Sequence, residues 1–221
     1  MNALSSVQPA PPVSDASAVA TAVAAVVAAG RSAALRGWVP ATSGNFSVRI
    51  DAETVALTRS GVDKGRLTPD DVLIQPVDAP PVARASAETP LHLGLYRARP
   101  EIGAIFHTHS PAASVIGAGL LAEGAVRISG WELQKALASV RTHEATVEVP
   151  IFANDQDTAA LAERIAERQA QPVAGVVAAP GYLLAGHGLY AWGATAAEAE
   201  RHLEALEVLF AQILALKQFA A

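Results

Sequence analysis

Gly103-Ala104-Ile105-Phe106-His107-Thr108-His109-Ser110 is an apolar run that ends in two histidines separated by one residue. Read as a strand, its period of two sends His107 and His109 out of one face and Thr108 out of the other. The two imidazoles can then converge on a divalent metal, but they cannot complete its coordination. His187, in Ala185-Gly186-His187-Gly188, is the candidate third ligand. Its flanking glycines let the backbone approach closely or take a positive φ, which suits a histidine presented at a tight turn. From spacing alone, His-x-His also fits a satisfied or exposed pair, and Gly-His-Gly says less still.

Composition narrows what such a site can be. The chain has 221 residues, a length that suits one domain with a core and a cleft, and 51% of them are apolar. The net charge is −5, with 16 Lys and Arg scattered along the chain; no nucleic-acid or polybasic membrane surface is expected. Absence of cysteine removes disulfides, thiolate ligands and a cysteine nucleophile together, leaving His, Asp, Glu or water to bind any metal. The apolar run from Ala18 to Gly30 is shorter than the roughly 20 residues of a membrane span, and no Lys or Arg precedes Arg31. Neither a membrane segment nor a secretory signal is expected, and the expected location is cytoplasmic.

Outward from the histidines, Pro9, Pro11 and Pro12 among Ser and Ala point to a disordered tail over 1–16, followed by one domain over 17–221. A helix is expected from about Ser17 to Leu35, and Gly37-Trp38-Val39-Pro40 stops it. Strands are expected from about Asn45 to Ile50 and from Val55 to Thr58, and a third from Val72 to Val77, whose Pro76 favours an edge. The first two adjoin Thr42-Ser43-Gly44-Asn45 and Arg59-Ser60-Gly61, with Lys64 within reach. Backbone amides and hydroxyls of this kind can cradle a phosphate, although such segments are often plain turns.

Ser86-Ala87-Glu88-Thr89-Pro90 opens a helix to about Ala98. The helix dipole favours a carboxylate there, so capping accounts for Glu88 without chemistry. Gly130-Trp131-Glu132 precedes an amphipathic stretch, where a solvated glutamate at a helix start is the default reading. Further helices are expected at about 112–122 and 157–168, with strands at Val147–Phe152, 175–180, 182–185 and 189–192. A terminal helix opens at Thr195-Ala196-Ala197-Glu198 and carries a core stripe of Leu203, Leu206, Phe210 and Ile213. His92, His143 and His202 lack a clustered partner in the sequence. Short strands interleaved with helices point to a layered α/β domain with a mixed sheet.

Taken in order, Ser43-Gly44-Asn45, Ser60-Gly61 with Lys64-Gly65, Ser86-Ala87-Glu88, His107-Thr108-His109 and Gly186-His187-Gly188 resemble the class II aldolase/adducin family. Trp131-Glu132-Leu133-Gln134-Lys135-Ala136, Val149-Pro150-Ile151-Phe152 with Asn154-Asp155-Gln156, and the run from Gly186 to Gly193 are more closely similar to its branch of methylthioribulose-1-phosphate dehydratases of methionine salvage. The resemblance runs from about Ser17 to the C-terminus. It implies a three-layer αβα fold around a mixed, mostly antiparallel sheet, one zinc ion per subunit and a homotetramer acting on a small phosphorylated ketose.

By residue, the resemblance makes His107, His109 and His187 the metal ligands, and Ser43, Gly44, Asn45, Ser60, Gly61 and Ser86 the phosphate loops. Lys64 falls near the phosphate. Glu132 matches the dehydratase acid/base, and Glu88 matches the carboxylate used in the aldolase branch. The expected activity is dehydration of 5-methylthioribulose 1-phosphate. A phosphosugar aldolase or pentulose-phosphate epimerase is the alternative within the superfamily, and an adducin-like interaction module is the alternative outside enzymes.

Overall fold

The computed structural model describes residues 15–219. Of the expected N-terminal tail over 1–16, residues 1–14 lie outside the described residues. Asp15 and Ala16 already belong to the first helix, α1 (Ala16–Leu35), whose N-cap is Asp15 accepting from the Ser17 amide. At 20 residues α1 is long and apolar enough to cross a membrane by length and composition, longer than the apolar run alone suggests. In the fold it lays Ala22, Val26, Ala29 and Ala33 into the core, and Gly37 at φ +73° ends it.

The remaining elements follow as β1 (Asn45–Arg49), β2 (Thr54–Thr58), β3 (Val72–Pro76), α2 (Thr89–Ala98), β4 (Ala104–Thr108), α3 (Pro111–Gly119) and β5 (Ala125–Ile128). After these come β6 (Val147–Phe152), α4 (Thr158–Gln169), β7 (Val177–Ala178), β8 (Gly181–Leu184), β9 (Gly188–Gly193) and α5 (Ala196–Phe219). The sheet runs β3-β2-β1-β4-β9-β8-β6-β5, with β7 beside β6. Only the β6–β7 and β6–β8 pairs are parallel; the others are antiparallel. The mixed, mostly antiparallel sheet expected from the resemblance is therefore present, and β3 with Pro76 stands at its edge.

Helices cover both faces. The α1, α3 and α5 side buries Phe46, Ala104, Phe106, Leu189, Leu206 and Phe210 in one core. The α2 and α4 side buries Leu91, Tyr96, Ile105, Leu161, Tyr182 and Tyr190 in a second. This is a three-layer αβα domain. Because β4 lies mid-sheet with a core on each side, it reads as a continuous apolar run rather than an alternating one. Its alternation still operates: Ala104 and Phe106 face α5, while Ile105 faces α2. The stripe on α5 is buried as expected at Leu203, Leu206 and Phe210 and partly buried at Ile213. Glu132 does not open an α-helix: Glu132–Ala136 is a short 3-10 turn, tied down by Gln134, which donates to the Thr142 and Ala145 carbonyls.

Candidate active site

The end of β4 and the β8–β9 turn meet at the centre of the sheet. His107 is fully buried, and its Nδ1–H donates to the Leu189 carbonyl at 2.9 Å. That bond fixes the tautomer and leaves the Nε2 lone pair directed outward. His187 sits in the turn beside Gly186, which has φ +64°, and its Nδ1–H donates to Asn154 Oδ1 at 3.1 Å. A Cβ on Gly188 would stand 1.8 Å from the Thr108 carbonyl oxygen, so glycine is what lets the turn lie against the end of β4.

The three Nε2 atoms converge. His187 Nε2 lies 3.3 Å from His107 Nε2 and 3.0 Å from His109 Nε2. With the Nδ1 hydrogens of His107 and His187 committed, neutral rings would set two Nε2 lone pairs against each other at 3.3 Å, a contact that only added positive charge, a proton or a metal ion, relieves. Burial first, and then positive charge at His107 and His187, push the His109 pKa down to about 3, so its ring is neutral. Such a donor set calls for a cation. Nitrogens bound tetrahedrally at about 2.0–2.1 Å stand about 3.3 Å apart, and the observed contacts fit that separation. His107, His109, His187 and Glu88 together form a group able to hold a metal.

Glu88 occupies the N-cap position of α2, but its side chain makes no capping bond. It turns inward: Oε1 lies 2.8 Å from His187 Nε2, and Oε2 lies 3.6 Å from His107 Nε2 and accepts from Asn45 Nδ2. Capping therefore does not explain this residue. Burial pushes its carboxyl up, but positive charge at His107 and His187, with their hydrogen bonds, outweighs that and holds it well below the usual carboxylate range. Glu88 is a base set against the open side of the histidine cluster.

Next to it lies a cavity of about 100 Å³ lined by Ser43, Gly44, Asn45, Ser60, Gly61, Lys64 and Ser86, with Glu88 and His109 at its edge. All seven residues expected to hold phosphate meet here. Gly44 and Gly61 have φ of +76° and +73°, and a Cβ on Gly44 would come within 2.7 Å of the His107 carbonyl. The Ser43 hydroxyl is buried without a protein partner, as a group awaiting a ligand acceptor would be. Lys64 is buried and donates to the Thr42 and Val62 carbonyls at 2.9 Å each; burial lowers its pKa to about 8. A second cavity of about 250 Å³, lined by Asn154, Gln156 and His187, meets the first at Ser60, Ser86 and Glu88.

Glu132 lines neither cavity. Its side chain is 71% exposed and pairs with Lys135 Nζ at 2.5 Å. One chain does not bring it to the histidines. Three residues that sequence reading passed over do belong to the region. Asn154 orients His187. His92, one helical turn after Glu88, contacts Asn45, and the i, i+4 spacing was the available signal. Glu207 on α5 accepts hydrogen bonds from Thr108 and Ser110 behind the histidines; its place beside the Leu206 stripe concealed it. His202 is structural, bonded to the Trp192 carbonyl and the Ala138 amide.

Comparison with known proteins accords with this geometry. Residues 24–214 match the family described as class II aldolase and adducin N-terminal domain. A methylthioribulose-1-phosphate dehydratase from Bradyrhizobium sp. (strain BTAi1) is 62% identical over 205 residues, covering 92% of this chain and 95% of that protein. A protein of the same name from Parvibaculum lavamentivorans is 50% identical, covering 86% of this chain and 91% of its own. Among solved structures, L-fuculose-1-phosphate aldolase from Thermus thermophilus superposes with a TM-score of 0.73 at 28% identity, covering 92% of this chain and 96% of that one.

Proposed function

The chain belongs to the class II aldolase and adducin family, and from that membership we propose that it is a metal-dependent dehydratase. Its substrate would be 5-methylthioribulose 1-phosphate, converted with loss of water to 2,3-diketo-5-methylthiopentyl 1-phosphate in methionine salvage. The observation that carries this reading over an aldolase is the 62% identity, across nearly the whole of both chains, to a protein named for that activity. The site supports it with three convergent imidazoles and one carboxylate. We assign zinc as the metal, one per subunit, a homotetrameric assembly and a cytoplasmic location, all resting on the family resemblance.

His107, His109 and His187 would hold the ion, which supplies Lewis-acid polarisation of the ketose carbonyl next to the carbon that loses its proton. The work of this chain's residues follows. Ser43, Ser60 and Ser86 hydroxyls and the loop amides around Gly44 and Gly61 hold the phosphate, with the Lys64 charge behind them. That anchorage places the ketose across the edge shared by the two cavities, in front of Glu88. Glu88, ionised and held by Asn45, takes the proton from C3. The departing C4 hydroxyl needs a proton, which Glu132 donates. An exposed Glu132 that lines neither cavity of its own chain can serve this step only across a subunit boundary.

The test is an assay of zinc-loaded protein with 5-methylthioribulose 1-phosphate. A diketone signal abolished by chelation and restored by zinc is expected. Bound zinc with no diketone, and a triose phosphate or an epimer formed from another ketose phosphate, would replace the dehydratase with the aldolase or epimerase reading. Mixing Glu132→Gln with His109→Ala subunits tests the shared site: activity should reappear in the mixed assembly.

A further inference from the structure

α2 and β1 are zipped together by side chains whose spacings match. Glu88, His92 and Tyr96 follow one another at intervals of four along the helix, and Asn45 and Ser47 at an interval of two along the strand. Four helical residues rise about 6.0 Å and two strand residues about 6.6–6.8 Å. The two rows therefore stay in step and interleave as Glu88, Asn45, His92, Ser47, Tyr96.

Every hydrogen in that row has one assignment. Asn45 turns its amide nitrogen to Glu88 Oε2, and a carboxylate oxygen accepts from it. Asn45 Oδ1 then faces His92 Nε2, which must carry the hydrogen. His92 Nδ1 is left as an acceptor, and the Ser47 hydroxyl donates to it at 2.7 Å. Ser47 Oγ in turn accepts from the Tyr96 hydroxyl at 2.9 Å. Asn45, Ser47, His92 and Tyr96 are all buried, so no water competes for these bonds. Burial, and then the charge near His107, push the His92 pKa down to about 3, consistent with a neutral ring.

We propose that His92 is a positioning residue: through Asn45 it aims the Glu88 carboxylate at the histidine cluster. Without its Nε2–H, Asn45 Oδ1 loses its donor from α2 and the amide is no longer held against rotation from that side, releasing Glu88. This rests on the assignment of Glu88 as the proton-transfer group. Such a residue acts on the chemical step and not on substrate affinity, since misplacement of a catalytic group by about 1 Å costs roughly 10²-fold in rate.

Two measurements test it. In ¹⁵N-histidine-labelled protein, the His92 ring, assigned by loss of its signal in His92→Gln, should be a neutral Nε2–H tautomer. An Nδ1–H or doubly protonated ring would overturn the inference, whatever the activity. In kinetics, His92→Leu should lower kcat on the order of tenfold to hundredfold, with KM within about threefold and zinc content unchanged. His92→Gln, whose amide places a donor near the original Nε2–H, should recover most of the loss. Unchanged kcat in folded, zinc-loaded His92→Leu, or glutamine no better than leucine, overturns it. If wild-type protein forms no diketone, the dehydratase reading fails while the tautomer still decides the geometry of the row.

Discussion

Glu207→Gln should leave stability nearly unchanged at pH 5 and raise it at pH 8. Glu207 is 2% exposed, on the opposite side of β4 from His107. Thr108 Oγ1 donates to its Oε1 at 2.5 Å, and Ser110 donates to its Oε2. Among the described residues no cation pairs with it. Burial pushes its pKa up to about 7, in spite of the two hydroxyls, from an ordinary value of 4.5. A raised carboxyl pKa means that the folded state binds the proton more tightly than the unfolded one. Stability from this group is full below about 4.5 and falls as pH rises to about 7, where folding has to bury the charge. The elevation corresponds to on the order of 3 kcal/mol.

Glutamine cannot ionise, so it escapes that loss. At low pH the protonated carboxyl and the amide each offer one acceptor oxygen and one donor to the two hydroxyls, so the variant and the wild type differ little there. Urea unfolding of the metal-free protein, at fixed protomer concentration, compares the two. Other titrating groups cancel when wild type and variant are compared at each pH. The difference should move by about 2–3 kcal/mol in favour of glutamine between pH 5 and pH 8. An equal difference at the two pH values would refute the reasoning and place a compensating charge beside Glu207.

Removal of one ligand, as in His187→Ala, should abolish stoichiometric zinc, as read by metal analysis after dialysis, because two imidazoles cannot complete the coordination. Glu88→Gln should retain zinc while kcat falls by roughly 10²–10⁴-fold; an unchanged rate would remove Glu88 from proton transfer. Lys64→Met strips a buried charge from the cavity proposed to hold phosphate and should lower kcat/KM by about 10- to 100-fold, the equivalent of one charged hydrogen bond. Wild-type KM should rise above about pH 8, where Lys64 loses its proton, and this rise should be absent from the variant. Gly188→Ala sets a methyl group 1.8 Å from the Thr108 carbonyl oxygen; thermal unfolding should show a loss on the order of 3 kcal/mol, with zinc binding weakened as the turn moves off β4.

Much of this molecule is local and was therefore legible. His107 and His109 share a direction because a strand alternates, Pro76 marks an edge because it lacks an N–H, and α1 ends where Gly37 and Pro40 end it. These outcomes depend on neighbours in the chain, and neighbours are what a sequence displays. The motif order also sufficed to bring the Ser43–Asn45, Ser60–Gly61 and Ser86 loops and the third histidine into one region, since a resemblance across the whole domain carries its tertiary contacts with it.

What only the tertiary structure decided was the partner of each polar side chain. Glu88 stands at a helix start, where the dipole favours a carboxylate, yet it bonds to Asn45 and the histidines, because β1 and β4 bring those groups to the end of α2. His92 and Glu207 look like isolated residues on helical faces until the sheet supplies Asn45 and Ser47 on one side and Thr108 and Ser110 on the other. Glu132 carries a strong motif and still stands in solvent, 71% exposed, in the single chain. Periodicity tells which way a side chain leaves its own backbone. What waits for it there depends on strands remote in sequence, and packing selects them through the summed burial of two cores rather than through any short motif.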